Sequence, residues 1–260
     1  MDYRAQVYSP LQNLAIWLGA WLADYVATDE CLGAVTELGG AHLLEGEHPE
    51  VGSNVDFLKL VRNLVDEPAP PTPPLSLVLC GPGDAPRLPV GSAAYAATIE
   101  GGLGALVMPQ RHAGSHILVP QPYSAGLRWQ RFTIDEPLPP VDYLSPGDAD
   151  RSLAEATRAA ADLIEAMGDN NLTRNKSIPD PRLTVGHLSD FYDVPGLPLI
   201  TPPRAAKLFA RADRVAAIIE TVQSHVGDHS LDPQLISLWR HIRAARVAGV
   251  TYALQEFQRG

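Results

Sequence analysis

A glycine-proline loop at residues 81–84 is one place in the chain where residue types and spacing could support chemistry. It follows an apolar segment, residues 75–80, which has the length and composition of a buried strand. Ligands often bind where such a strand ends, and glycines let backbone N–H groups approach an anion. The loop lacks the third glycine of a dinucleotide-binding fingerprint, and Pro82 and Pro86 offer no N–H donor. We therefore predict a structural turn. The alternative is an anion site that includes Gly81, Gly83 and Asp84.

Three arginines near the C-terminus form the densest positive patch of the sequence: Arg240, Arg243 and Arg246. Their spacing places them along an arc of about 120° on one predicted helix, with His241 beside them. Guanidinium groups bind carboxylates and phosphates through two parallel hydrogen bonds, so an anionic ligand is one interpretation. We favour the other, in which the arc forms salt bridges with the acidic first half of the chain or faces solvent.

Neither a catalytic nor a metal-binding motif emerges from the remaining reactive residues. Cys80 would need a histidine base to act as a nucleophile, and we expect it to be a small core residue. The segment from His42 to His48 superficially resembles a zinc-protease motif, but Gly46 and Glu47 displace the second histidine from the required register. We predict an acidic, solvent-exposed turn there. No cofactor fingerprint is present, so the sequence leaves any cofactor unknown.

Residues 169–201 form the longest irregular stretch, and loops of this length are usually functional or disordered. The segment contains His187, Asp190 and Asp193, a set that could recruit a metal but is common in ordinary loops. Its apolar residues predict contact with the protein surface, as a lid over a site or as an arm on a partner subunit. If the protein is an enzyme, Asp84 and His187 are the polar residues we expect to take part.

The apolar periodicity predicts an α+β fold in three units, at residues 1–67, 75–134 and 148–260. The first is helical, with helices that begin near Ser9 and Thr28 and at Ser53 or Asn54. The second contains about four strands, forming a small mixed or antiparallel sheet. The third begins with a Ser152–Glu155 capping box and ends in a pair of long helices. We expect the N-terminal helices and this helix pair to wrap the sheet within one compact domain.

Composition and charge limit the classes of molecule to which the protein could bind. A net charge of −10 argues against nucleic-acid or anionic-membrane binding, because affinity for phosphates comes mainly from Lys and Arg. Residues 1–150 carry 18 acidic and 7 basic residues, whereas residues 151–260 carry 12 acidic and 13 basic residues. This asymmetry favours attraction between the two halves, within one molecule or in a dimer. Two cysteines, 17 Arg against 3 Lys and the absence of a secretory signal indicate a cytoplasmic bacterial protein.

Two functional hypotheses follow. The first is a soluble, non-enzymatic protein that acts through a protein partner or through self-association, because no paired nucleophile, base or metal set is present. The alternative is an enzyme or a binder of a small phosphate- or carboxylate-bearing ligand at the 81–84 loop, with arginines neutralising the ligand.

Overall fold

In the computed structural model, a five-stranded mixed sheet carries helices on both faces. The structure describes residues 10–46, 53–65, 73–110, 114–140, 143–171, 196–226 and 232–259, with the backbone alone at 160, 162–171, 221–226 and 232–235. The helices within these residues are α1 (Pro10–Leu22), α2 (Thr28–Gly39), α3 (Asn54–Leu64), α4 (Ala93–Gly101), α5 (Pro146–Asn171), α6 (Pro203–Val226) and α7 (Asp232–Phe257). The strands are β1 (Ala41–Leu44), β2 (Ser76–Val78), β3 (Ala105–Pro109), β4 (Ser115–Tyr123) and β5 (Gly126–Ile134).

The sheet has the order β1-β5-β4-β3-β2. Strands β2 to β5 pair antiparallel, and the β4–β5 hairpin is the longest ladder, with nine paired positions. Strand β1 pairs parallel with β5 at the opposite edge from β2. The predicted α+β class, with a mixed sheet and a C-terminal pair of long helices, is confirmed, and the sheet has one strand more than the four expected.

The additional strand is β1, and it corrects our prediction of a solvent-exposed turn at His42. The His42 side chain is only 1% exposed. Its Nδ1 accepts a hydrogen bond of 3.0 Å from the indole Nε1 of Trp129, and its Nε2 lies 3.1 Å from the carbonyl oxygen of Val35. The ring also packs against Phe57, with centroids 4.8 Å apart. These partners fix a neutral imidazole with its proton on Nε2, because Nδ1 must accept and Nε2 must donate.

Three apolar clusters hold the helices in place. On one face of the sheet, residues such as Leu106 and Trp129 pack against α1, α3 and the C-terminal half of α7. On the other face, residues such as Val107 and Val119 pack against α4 and Leu88. The third cluster lies among α5, α6 and the N-terminal half of α7. Helix α7 therefore contributes to two of the three clusters.

Helix boundaries follow capping chemistry, with one correction. Ser53 accepts a hydrogen bond from a backbone N–H group at the start of α3, as predicted, and Ser92 does the same at the start of α4. The predicted capping box at Ser152 is wrong, because α5 already begins at Pro146 and Ser152 lies inside it. The Oγ of Ser145 accepts from the Asp148 N–H at 3.1 Å and is the cap. Ser145 and Pro146 together supply a capping hydroxyl and a proline at the first helical position, and the helix begins there.

The burial of neutral His42 makes stability depend on pH. Burial lowers the pKa of His42 from 6.5 to about 4, although the Val35 carbonyl partly opposes this shift. Between these values the unfolded chain binds a proton that the folded chain does not, so stability is lost as pH falls through this range. We expect this residue alone to lower the free energy of unfolding by up to about 3 kcal/mol between pH 7 and pH 4. Urea denaturation of the native protein and of His42→Gln at a series of pH values measures this effect. The free energy of unfolding should fall less steeply in the variant as the pH is lowered.

His116→Gln is the control, because His116 lies in β4 and hydrogen-bonds to Thr133 in an exposed contact. This variant should keep the pH dependence assigned to His42. A direct titration of the imidazole by NMR that places the pKa of His42 near 6.5 would contradict the assignment.

Candidate functional site

A cleft of about 370 Å³ lies beside strand β2, and we call it the edge cleft. One wall is the segment 76–79, and the opposite wall is one face of helix α7. Further lining comes from the side chains of Leu138, Pro139, Tyr143 and Leu144. The lining residues are Ser76, Leu77, Val78, Leu79, Asp84, Arg87, Leu138, Pro139, Tyr143, Leu144, Arg240, Arg243, Ala244, Val247, Ala248, Thr251 and Gln255.

The lining of the edge cleft has two chemical parts. Its body is mainly apolar, with Leu138 and Leu144 on one side and Val247 and Ala248 on the helix. The helical residues recur at three- and four-residue spacing from Arg240 to Gln255, so they belong to one side of α7. Arg243 contacts the turn that follows β2, Arg240 lies one helical turn before it on α7, and Arg87 lies three residues after the turn. The cleft is therefore an apolar channel with a cationic end.

The 81–84 loop is a tight turn, as predicted. The Gly81 N–H donates to the Asp84 carbonyl at 3.0 Å, and the Asp84 N–H donates to the Gly81 carbonyl at 2.9 Å. Pro82 occupies the second position and Gly83 the third, where its φ of +73° requires the left-handed region; this is the arrangement of a type II turn. Two of the three N–H groups of the turn are thus used within it. The backbone of the turn is a poor anion site, which leaves the arginines as the cationic groups of the cleft.

Arg243 joins this turn to helix α7. Its Nε donates to the Asp84 carboxylate at 3.1 Å, and its Nη2 donates to the Pro82 carbonyl at 3.0 Å. A Cβ at Gly81 would lie 2.5 Å from Nη1, so only glycine allows the guanidinium to approach this closely. The Arg243 side chain is 9% exposed and that of Asp84 is 24% exposed. The structure therefore brings Arg243 against the turn of Gly81 and Asp84, and Asp84 lies 159 residues earlier in the chain.

The other predicted site residues are divided among different locations. Arg240 is exposed and lines the cleft, but Arg246 does not, since it is buried among three helices. His187 and the metal-recruiting set predicted with it fall in 172–195, outside the described residues. His241 lies beside α5, with its Nδ1 3.1 Å from the Ser152 hydroxyl, and its pKa is lowered by burial and by Arg240. Of the three arginines that the sequence places on one arc, Arg240 and Arg243 thus line the edge cleft and Arg246 does not.

Two groups bear on reactivity near the cleft. Burial raises the pKa of the Cys80 thiol to about 11, so it is protonated at neutral pH, and its Sγ lies 3.5 Å from the Thr98 carbonyl oxygen. Arg87 lines the cationic end and is exposed, and its position just after the turn is the only feature of the sequence that points to it. Within the described ranges, no three His, Cys, Asp or Glu side chains form a group that could hold a metal ion.

The fold and cleft define an α+β protein with an elongated, largely apolar groove that ends in arginines. Comparison with known families is more specific: residues 12–143 match the model of the Rv1486c-like protein N-terminal domain, and residues 147–247 match that of its C-terminal domain. The chain belongs to the Rv1486c-like protein family. The two matches meet between residues 143 and 147, immediately before helix α5.

Relatives of this chain occur in mycobacteria. A protein of Mycobacterium leprae, named "Uncharacterized protein ML1804", is 26% identical over 95% of this chain and 98% of its own length. A protein of Mycobacterium tuberculosis strain H37Rv, named "Uncharacterized protein Rv1486c", is 25% identical over the same shares of the two chains. Neither name records a function. No solved structure matches the chain. Among the helices of the described residues, none combines the length and apolar character needed to cross a bilayer.

Removing the Arg243 side chain tests its role in holding the turn to α7. We expect Arg243→Met to lower the free energy of unfolding by about 2 to 4 kcal/mol, because Asp84 and the Pro82 carbonyl lose their partner in a largely buried position. Arg240→Met, one turn earlier on the same helix, should change it by less than about 0.5 kcal/mol, since that side chain is exposed. Urea denaturation monitored by circular dichroism measures both. Equal losses in the two variants would contradict the assignment.

Proposed function

We propose that the protein binds an elongated ligand with an apolar body and an anionic end, and that the ligand lies in the edge cleft. The observation that supports this most is the combination of an apolar cleft with three arginines and one carboxylate at one end. A volume of about 370 Å³ falls within the range of small-molecule sites, which are typically apolar with a few polar groups that fix orientation.

The charges at the cationic end favour an anion. Asp84 is already bound by Arg243, so it neutralises one of the three arginines. Arg87 and Arg240 are exposed, and neither forms an ion pair with any described residue. Because a guanidinium group binds a carboxylate or phosphate through two donors, these two side chains are suited to the anionic end of a ligand.

The proposal is binding without catalysis. The thiol of Cys80 is protonated at neutral pH, and among the described residues no histidine lines the cleft. We also propose that the protein acts in the cytoplasm, a proposal supported by Cys31 and Cys80, which are both free and buried.

Decanoate, which has an apolar chain and a carboxylate, tests the proposed function. We expect saturable binding to the intact protein, and an increase in Kd of about tenfold in the double variant R87Q/R240Q, because the ligand loses its charge-assisted hydrogen bonds. Ala244→Trp should abolish binding by filling the middle of the cleft. Isothermal titration calorimetry measures each Kd.

The matched control is R131Q/R158Q, which removes two arginines that are exposed elsewhere on the surface and do not line the cleft. It should bind decanoate like the native protein. If both double variants bind decanoate equally, or if Ala244→Trp binds it like the native protein, the proposed function is wrong.

Self-association is a second candidate, supported by a basic face on α6. Exposed cations recur along one side of this helix: Arg204, Lys207, Arg211 and Arg214. They line a groove of about 490 Å³ with the start of α5, where Arg211 lies 3.0 Å from the Asp150 carboxylate. The first 150 residues have a net charge of −11, from 18 acidic and 7 basic residues. We propose that the basic face of one copy docks on the acidic half of another.

Salt dependence tests this second candidate. Ion pairs between exposed groups weaken as salt shortens the screening length, so we expect association at about 50 mM salt to be lost at about 500 mM. R204E/K207E should prevent association at low salt, whereas R131E/R158E, which reverses two exposed arginines outside this face, should retain it. Sedimentation velocity measures the species present. A monomer at low salt, or a dimer unaffected by R204E/K207E, would count against it.

A further inference from the structure

We propose that the ligand of the edge cleft is an extended peptide at the C-terminus of a partner protein. Its main chain pairs with the free edge of β2, and Arg240 and Arg87 bind its terminal carboxylate. This inference rests on the proposed function, since it names the chemical class of the ligand for the same cleft.

The first support is the way the cleft meets β2. Successive side chains of a strand point to opposite faces of a sheet, so a cavity on one face contacts alternate residues. The edge cleft instead contacts four consecutive residues, from Ser76 to Leu79, and it therefore meets the strand from its edge. Strand β2 is the last in the sheet order and, among the described strands, pairs with β3 alone. Its other edge presents backbone N–H and C=O groups that an added strand can pair with.

The second support is that a peptide satisfies both parts of the cleft. An alkyl chain could fill the apolar body but could not pair with a strand edge. A peptide main chain supplies the hydrogen-bond partners, while its alternate side chains lie against apolar groups such as Val247 and Leu144. Three residues extend for about 10 Å, which matches the three residues of β2.

The third support is the position of the charges relative to the direction of β2. Arg243 contacts the turn that follows β2, so the arginines lie at the end of the cleft where β2 ends. A peptide carboxylate at that end belongs to a segment that runs in the same direction as β2. Parallel pairing is already used at the opposite edge of the sheet, between β1 and β5. The position of the arginines thus indicates that the bound peptide runs parallel to β2.

Four probes distinguish this inference from the proposed function on which it rests. They are the peptide acetyl-Leu-Val-Leu with a free carboxylate, the same peptide amidated at its C-terminus, the same peptide methylated at every amide nitrogen, and decanoate. We expect the free peptide to bind the intact protein at least tenfold more tightly than either modified peptide. Arg240→Gln should reduce its affinity to that of the amidated peptide, whereas Arg131→Gln should leave it unchanged.

Amide hydrogen exchange followed by NMR locates the pairing. Exchange of backbone amides within 76–79 should slow when the free peptide binds and should stay unchanged with decanoate. If decanoate binds but the three peptides bind no better than one another, the peptide inference is wrong and the proposed function stands. If no probe binds, both are wrong. If the peptide binds without protecting amides in 76–79, pairing with β2 is excluded.

Discussion

A buried arginine, Arg246, fixes the position of the helix on which the rest of the structure depends. This residue of α7 is only 3% exposed. Its guanidinium donates to Gln12 of α1 and binds Asp213 of α6, each at 2.7 Å. A charge removed from water costs several kcal/mol unless it is paired with good geometry. Few rotations of α7 about its axis would keep both partners in reach. This one group therefore sets the orientation of three helices.

The orientation of α7 in turn builds the edge cleft. With Arg246 directed between α1 and α6, Arg243 reaches the turn after β2 and Arg240 reaches solvent at the end of the cleft. Close approach of the helices is possible because glycines lie at two contacts. A Cβ at Gly19 would overlap Leu254, and one at Gly249 would overlap Phe209. The wall that α7 forms in the cleft is thus a consequence of helix packing.

Local signals in the sequence predicted most elements, because caps and breakers act over a few residues. Ser53 and Ser92 start α3 and α4, and Gly40 and Gly102 follow the ends of α2 and α4 with positive φ. Strand β1 was missed because four residues, Ala-His-Leu-Leu, show no alternation and gain their stability from a partner, β5, some 85 residues away. The same dependence on distant contacts limits what the sequence predicts for the three arginines. Helical spacing gives the angle between side chains, but only tertiary packing decides that Arg246 is buried and Arg240 is not.

The short length of β2 protects the chain against aggregation at the edge of its sheet. The unpaired edge of a strand can act as a template on which unfolded or partly folded chains assemble into fibrils. Here the template is three residues long. Pro73 and Pro74 lie just before it and Pro82 just after it, and none of them has an N–H with which to extend a ladder. The edge is therefore too short to seed a fibril.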